Sequence, residues 1–134
     1  MSGRINYSSG APWEAIVGYS RAVRAGNVIE VSGTVASDEN GAVTGEADAY
    51  LQTKYILEKI KAVLEKAGAE MRHVVRTRIF VTDIRFFDAV AKAHVEVFKE
   101  ILPCTSLYQV AALVSKAYLV EIEATAILED LPLN

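Results

Sequence analysis

The stretch His73-Val74-Val75-Arg76-Thr77-Arg78-Ile79-Phe80-Val81-Thr82 decides the fold. It is rich in β-branched and aromatic side chains, which suit a pleated, half-buried surface. Alternation along a strand puts Val75, Thr77, Ile79 and Val81 on one face. Arg76, Arg78, Phe80 and Thr82 take the other. Such a strand needs a core on its first face and a polar environment on its second.

Amphipathic helices flank it on both sides. Before it, Ala47 to Ala67 carries Ile56, Leu57, Ile60, Val63, Leu64 and Ala67 at helical spacing. Glu58, Lys59, Lys61, Glu65 and Lys66 fill the opposite side, and Gly68 is placed to end the helix. After it, Thr82-Asp83 forms an N-cap region for a helix from Ile84 to Glu100. That helix has an apolar stripe of Phe87, Val90, His94, Val97, Phe98 and Ile101, and Leu102-Pro103 ends it. His94 on this stripe reads as a core or interface histidine, and Asp83 as a cap.

Further out lie more strands. Gly26-Asn27 is a turn between Ala22-Val23-Arg24 and Val28-Ile29-Glu30-Val31-Ser32, predicting a hairpin. Asp38-Glu39-Asn40-Gly41 marks a longer loop. Ser106–Leu113 and Ala117–Leu128 read as the last two strands. Residues 1 to about 25 carry Gly10, Pro12, Trp13 and Gly18, and are expected to be irregular or short-stranded. The order is β-β-α-β-α-β-β without a repeat. Residues 1–134 are thus one α+β domain, with two helices packed on one face of a sheet.

The other face is mixed. Leu119, Glu121, Glu123 and Thr125 alternate with Val120, Ile122, Ala124 and Ala126, and Val28, Glu30 and Ser32 alternate with Ile29, Val31 and Gly33. Glu30, Arg76, Arg78, Glu121 and Glu123 therefore share a face with Phe80 and Leu119. Either this face is solvated with cross-strand ion pairs, or it is buried against other subunits with its charges paired.

Composition narrows the classes. Half the residues are apolar, which argues against disorder, and the net charge of −3 gives no basic stripe for nucleic acid. No apolar run is long enough to span a membrane. The N-terminus lacks the apolar core of a signal peptide, and Cys104 is the lone cysteine, pointing to the cytosol. Cys104 has no evident neighbour to activate it, and no metal-ligand spacing occurs.

Four motifs then stand together: Gly18-Tyr19-Ser20-Arg21-Ala22-Val23, Val31-Ser32-Gly33-Thr34, Val74 to Asp83, and Val120-Glu121-Ile122-Glu123-Ala124-Thr125-Ala126. In order and spacing, from about Tyr19 to Ala126, the chain resembles the RidA/YjgF family, also labelled L-PSP endoribonucleases. The resemblance implies a chorismate-mutase-like α+β fold, a homotrimer, and ligand clefts between adjacent subunits. It implies hydrolysis of reactive imines and enamines to a 2-oxo acid and ammonia, with no cofactor.

The resemblance also implies site residues. Glu121 matches the family's water-positioning glutamate, Tyr19 a cleft tyrosine, Ser32 a cleft serine, and Gly33 a point where backbone approaches the ligand. Trp13-Glu14 falls near the expected cleft entrance. One position departs. Deaminating members carry an arginine two residues after the proline of Leu102-Pro103-Cys104-Thr105-Ser106-Leu107, and this chain has Thr105. A threonine offers one neutral donor where a guanidinium offers a charged, bidentate one. Arg21 or Arg78, on segments bordering the implied pocket, is the candidate replacement anchor for an acidic ligand. Two functions fit: a cofactor-independent imine or enamine hydrolase with altered substrate choice, and a non-catalytic small-molecule-binding trimer that senses a metabolite or supports a partner enzyme. The acidic balance disfavours a ribonuclease.

Overall fold

The computed structural model describes residues 3–128. Among them one six-stranded sheet runs in the order β1-β2-β3-β6-β4-β5. The strands are β1 Arg4–Tyr7, β2 Ala22–Ala25, β3 Val28–Thr34, β4 Val74–Val81, β5 Cys104–Gln109 and β6 Val120–Ile127. The helices are α1 Pro12–Val17, α2 Ala49–Lys66 and α3 Phe87–Phe98. The α+β arrangement with two long helices on one face is as expected.

The core lies between that face and α2. Ile56, Leu57, Ile60 and Leu64 are buried against Ile29 and Val31 of β3 and Val120, Ile122 and Ala124 of β6. The helix starts where the Asp48 carboxylate accepts from the Leu51 N–H at 2.9 Å. It ends at Gly68, whose φ of 88° is costly for other residues. Arg24 donates to the Ala67 carbonyl at 2.8 Å, satisfying a terminal acceptor.

A buried glutamine sets where β6 begins. The Gln52 amide donates to the carbonyls of Gly45 and Ala117 and accepts from the Leu119 N–H. Three backbone groups of two loops are thereby satisfied from one α2 side chain.

Several expectations change. The N-terminal region holds a strand and a short helix: Pro12 sits in the first turn of α1, where its missing N–H costs nothing, and Gly18 caps the other end at φ 89°. The second helix begins later than Ile84, because Ile84–Phe86 forms a 3₁₀ turn capped by Asp83. The strand expected from Ser106 spans Cys104–Gln109 and runs parallel to β4 at the sheet edge.

Two bulges overturn part of the alternation. Between Val74 and Arg76 the pairing with β6 slips. Val74 turns into the core and Val75 is 42% exposed, so Val75 does not share the face of Thr77, Ile79 and Val81. Between Val31 and Thr34 the pairing slips again. Thr34 takes the inward position, and Gly33 faces β6's polar side rather than joining Ile29 and Val31.

Replacing Gln52 with leucine strands three buried backbone groups and is expected to cost more than about 2 kcal/mol. Asp48→Ala removes one exposed cap and should cost about 1 kcal/mol. Urea denaturation at one fixed protein concentration checks the order of the two.

Candidate functional site

The bulge in β3 builds the first part of the site. The Ser32 hydroxyl donates to the Ser20 carbonyl at 2.7 Å, and the Ser32 N–H donates to the Arg21 carbonyl at 3.0 Å. Arg21 returns a bond from Nη2 to the Gly33 carbonyl at 2.7 Å. Its guanidinium carbon lies 5.9 Å from the centre of the Tyr19 ring. Tyr19, Arg21, Ser32 and Gly33 are therefore one neighbourhood, joined through the backbone of two segments.

Glu121 completes it. A Cβ on residue 33 would fall 2.8 Å from Cδ of Glu121, so the carboxylate occupies the space that glycine leaves. Burial raises the Glu121 pKa, Glu123 adds to the rise, and Arg21 pulls it back only in part. Burial likewise pushes the Arg21 guanidinium below its usual range, against the pull of Tyr19, Glu14 and Glu121. No carboxylate lies within ion-pair distance of Arg21 among the described residues, and its Nε is buried without a partner. Tyr19 and Ser32 also line an open cleft of ≈ 440 Å³ with Glu14, Gly18 and Ser20, from which Glu121 is absent.

The structure does not bring the other candidates there. Arg78 pairs with Glu123 across β4 and β6, Nη1 to Oε1 at 3.8 Å, with both side chains over a third exposed. Such a pair is worth at most about 1 kcal/mol. Thr105 lies on the opposite face of the sheet. Its partner on β4 is the fully buried Thr77, whereas the β4 partner of Glu121 is Phe80, three residues on and pointing the other way.

Thr105 borders a second cleft, between α3 and the edge strand β5, of ≈ 340 Å³. Phe87, Val90, Val95, Phe98, Leu102 and Leu107 give it apolar walls. His94 also faces it. Its Nε2 lies 3.0 Å from Thr77 Oγ1, which lies 2.8 Å from Thr105 Oγ1. Burial pushes the His94 imidazolium below the ordinary histidine range. The apolar stripe marks His94 as packing, and its ring does lie against Phe98, tilted by 39° with the centroids 4.6 Å apart. Only the strand register brings Thr77 to it.

Two other groups escape the sequence pattern. Helical periodicity puts Lys59 on the solvent side of α2. It instead donates to the carbonyls of Val35 and Ser37, fixing the chain that leaves β3. Burial and the Arg21 charge push its pKa down to about 8, with Asp38 opposing. Glu14 is buried and accepts from the hydroxyls of Ser8 and Ser9. Burial raises its pKa, but these bonds outweigh that and leave it low. Trp13 beside it is 57% exposed. No cluster of three or more potential metal ligands occurs among the described residues. No described helix is long and apolar enough to cross a membrane.

Sheet, helices and the Glu121–Gly33 contact together define a small α+β protein with a half-buried carboxylate seated against a glycine. The endoribonuclease L-PSP family model matches residues 9–128, and the chain belongs to that family. It is 36% identical over 108 residues to the 3-aminoacrylate deaminase RutC of Acinetobacter baylyi, covering 81% of this chain and 85% of that one. Among solved structures, Rv2704 of Mycobacterium tuberculosis, a YjgF/YER057c/UK114 family member, superposes with a TM-score of 0.86 at 43% identity, over 94% of this chain and 100% of that one. YyfA of Yersinia pestis, from the conserved Rid protein family, gives a TM-score of 0.82 at 31% identity over 94% and 100% of the two chains.

The raised Glu121 pKa carries a stability consequence. Below the ordinary glutamate pKa of 4.5 the carboxyl is protonated in folded and unfolded chains alike. As pH rises through that value and then through the higher folded pKa, the folded state bears a charge it disfavours. Glu121→Gln should therefore raise Tm near neutral pH, with the gain vanishing by about pH 4. Thermal melts from pH 4 to pH 8 check this.

Proposed function

We propose that this chain is a cofactor-independent hydrolase of small imines or enamines, working in clefts between the subunits of a homotrimer. The observation that carries the reading is the Glu121 carboxylate, half-buried and raised in pKa, seated in the space left by Gly33 beside Arg21. The RutC relative, named as a 3-aminoacrylate deaminase, supports the reaction class.

The chemistry needs little machinery. An enamine takes a proton on carbon and becomes an iminium, the protonated imine. Glu121 orients a water and accepts its proton as the water oxygen adds to the iminium carbon. The C=N electron pair moves to nitrogen and neutralises its charge. Glu121 returns its proton to the carbinolamine nitrogen, which leaves as ammonia, and the hydroxyl proton passes to solvent as the carbonyl forms, balancing the proton first taken up. A carboxyl raised toward the working pH suits both steps. Arg21, charged and without a carboxylate partner among the described residues, is the group beside Glu121 able to take an anionic part of the substrate. With Arg78 held by Glu123, it is the better placed of the two arginines. Tyr19 and Ser32 wall the same neighbourhood.

A trimer fits the separation of the two parts of the site. In one chain Glu121 and Thr105 face opposite sides of the sheet. Contact between neighbouring copies would set the Glu121 side of one against the α3–β5 cleft of the next. The neutral Thr105 favours one second reading, a trimer that binds a small molecule without turning it over.

The test offers the protein freshly generated imines of small ketones, and 2-imino acids with apolar side chains, and follows ammonia release. Release well above buffer is expected, with Glu121→Gln lowering kcat by about 10²–10⁴-fold. Gly33→Ala should displace the Glu121 carboxylate and lower kcat while the protein stays folded. Sedimentation should give a trimer for all three proteins. Release no faster than buffer with every imine would sink the hydrolase and leave the binding protein.

A further inference from the structure

The α3–β5 cleft has a polar element that hydrolysis at Glu121 does not use. Thr77 is fully buried, and its hydroxyl meets both the His94 Nε2 and the Thr105 hydroxyl. Thr77 has one proton, so it donates to one partner and accepts from the other. The three groups form a chain with a single direction at any moment. If His94 donates, Thr77 donates to Thr105, and the Thr105 proton is left for the cleft or for the Pro103 carbonyl at 3.3 Å. If His94 accepts, Thr105 spends its proton on Thr77 and shows only lone pairs. In both cases the Thr105 oxygen is held in place from behind and keeps one hydrogen-bonding role toward the cleft.

The surroundings say what that role serves. The walls are mostly apolar, and the volume of ≈ 340 Å³ is in the range of small-molecule sites. Among the described residues the one lysine or arginine lining the cleft is Lys99, exposed at the end of α3. Its charge is screened there by water. Burial keeps His94 neutral over a wider range. A carboxylate placed here would meet one neutral hydroxyl and no buried cation, exchanging strong hydration for little. An amide, ketone or alcohol of the same shape would give up far less hydration.

We propose that the α3–β5 cleft binds an uncharged, largely apolar substituent of the substrate, with the Thr105 hydroxyl as its hydrogen-bonding contact. Thr77 and His94 are positioning residues that hold this hydroxyl. The substrates are then imines whose non-reacting end is neutral, and any acidic group lies at the Arg21 end. The inference rests on the hydrolase reading only in taking this cleft as part of the substrate site.

Isobutyramide and isobutyrate test it, since they share a carbon skeleton and differ in charge. The His94 ring C–H resonance reports occupancy during titration. Isobutyramide is expected to bind at least about tenfold more tightly than isobutyrate. Thr105→Val keeps the shape, removes the hydroxyl, and should weaken the amide about tenfold. His94→Gln, which can still bond Thr77, should keep amide binding, and His94→Phe should weaken it. Thr105→Arg should reverse the preference. Equal or tighter binding of isobutyrate by the natural chain, amide binding untouched by Thr105→Val, or a His94 resonance unmoved by both probes would each overturn the proposal. Amide selectivity without imine hydrolysis would defeat the reaction and leave the cleft. Hydrolysis without amide selectivity would do the reverse.

Discussion

The packing of α2 on β3 and β6 is the interaction on which the rest depends. Ile56, Ile60 and Leu64 bury against Ile29, Val31 and Ile122, all at or near complete burial. Fully burying each such side chain is worth roughly 1.5–3 kcal/mol relative to exposure. That contact decides which face of the sheet is the core. Because strands alternate, it also decides where every polar residue goes. Once Ile122 points inward, Glu121 and Glu123 must point outward, and β4 follows through its register with β6. The face that carries Glu121 is defined by exclusion from the core.

Much of this is legible in the sequence because it rests on periodicity. The 3.6-residue pattern from Ile56 to Leu64 and the two-residue pattern from Val120 to Ala126 each name one face without ambiguity. The features that escape have a common cause. A bulge adds one residue to one strand and reverses the face of every residue beyond it, and nothing in Val74-Val75-Arg76 or Val31-Ser32-Gly33 announces that. Simple alternation therefore puts Val75 and Gly33 on the wrong side. The early helix is hidden differently: Pro12 and Gly18 read as breakers, while here they are its two ends.

The candidate site divides along the same line. Glu121, Tyr19, Ser32 and Gly33 are named by the family resemblance, but the close fit at Gly33 appears only when the Glu121 carboxylate is seen in the space of its missing Cβ. Thr105 can be named as a departure, but not as the end of a hydroxyl chain. That chain needs Thr77 from β4, His94 from α3 and the parallel pairing of β4 with β5. Single-strand alternation carries no information about which strand lies alongside. The ion pair of Arg78 with Glu123 is hidden for the same reason.

The placement of Thr105 on an edge strand has a consequence for how this protein can change. β5 is bonded to the sheet on one side only, and residue 105 lies opposite the face that carries Glu121. A substitution at 105 alters one wall of the α3–β5 cleft without touching the Glu121 carboxylate, its glycine seat or the α2 core. The two faces of the sheet can therefore change one residue at a time, each without a structural cost to the other.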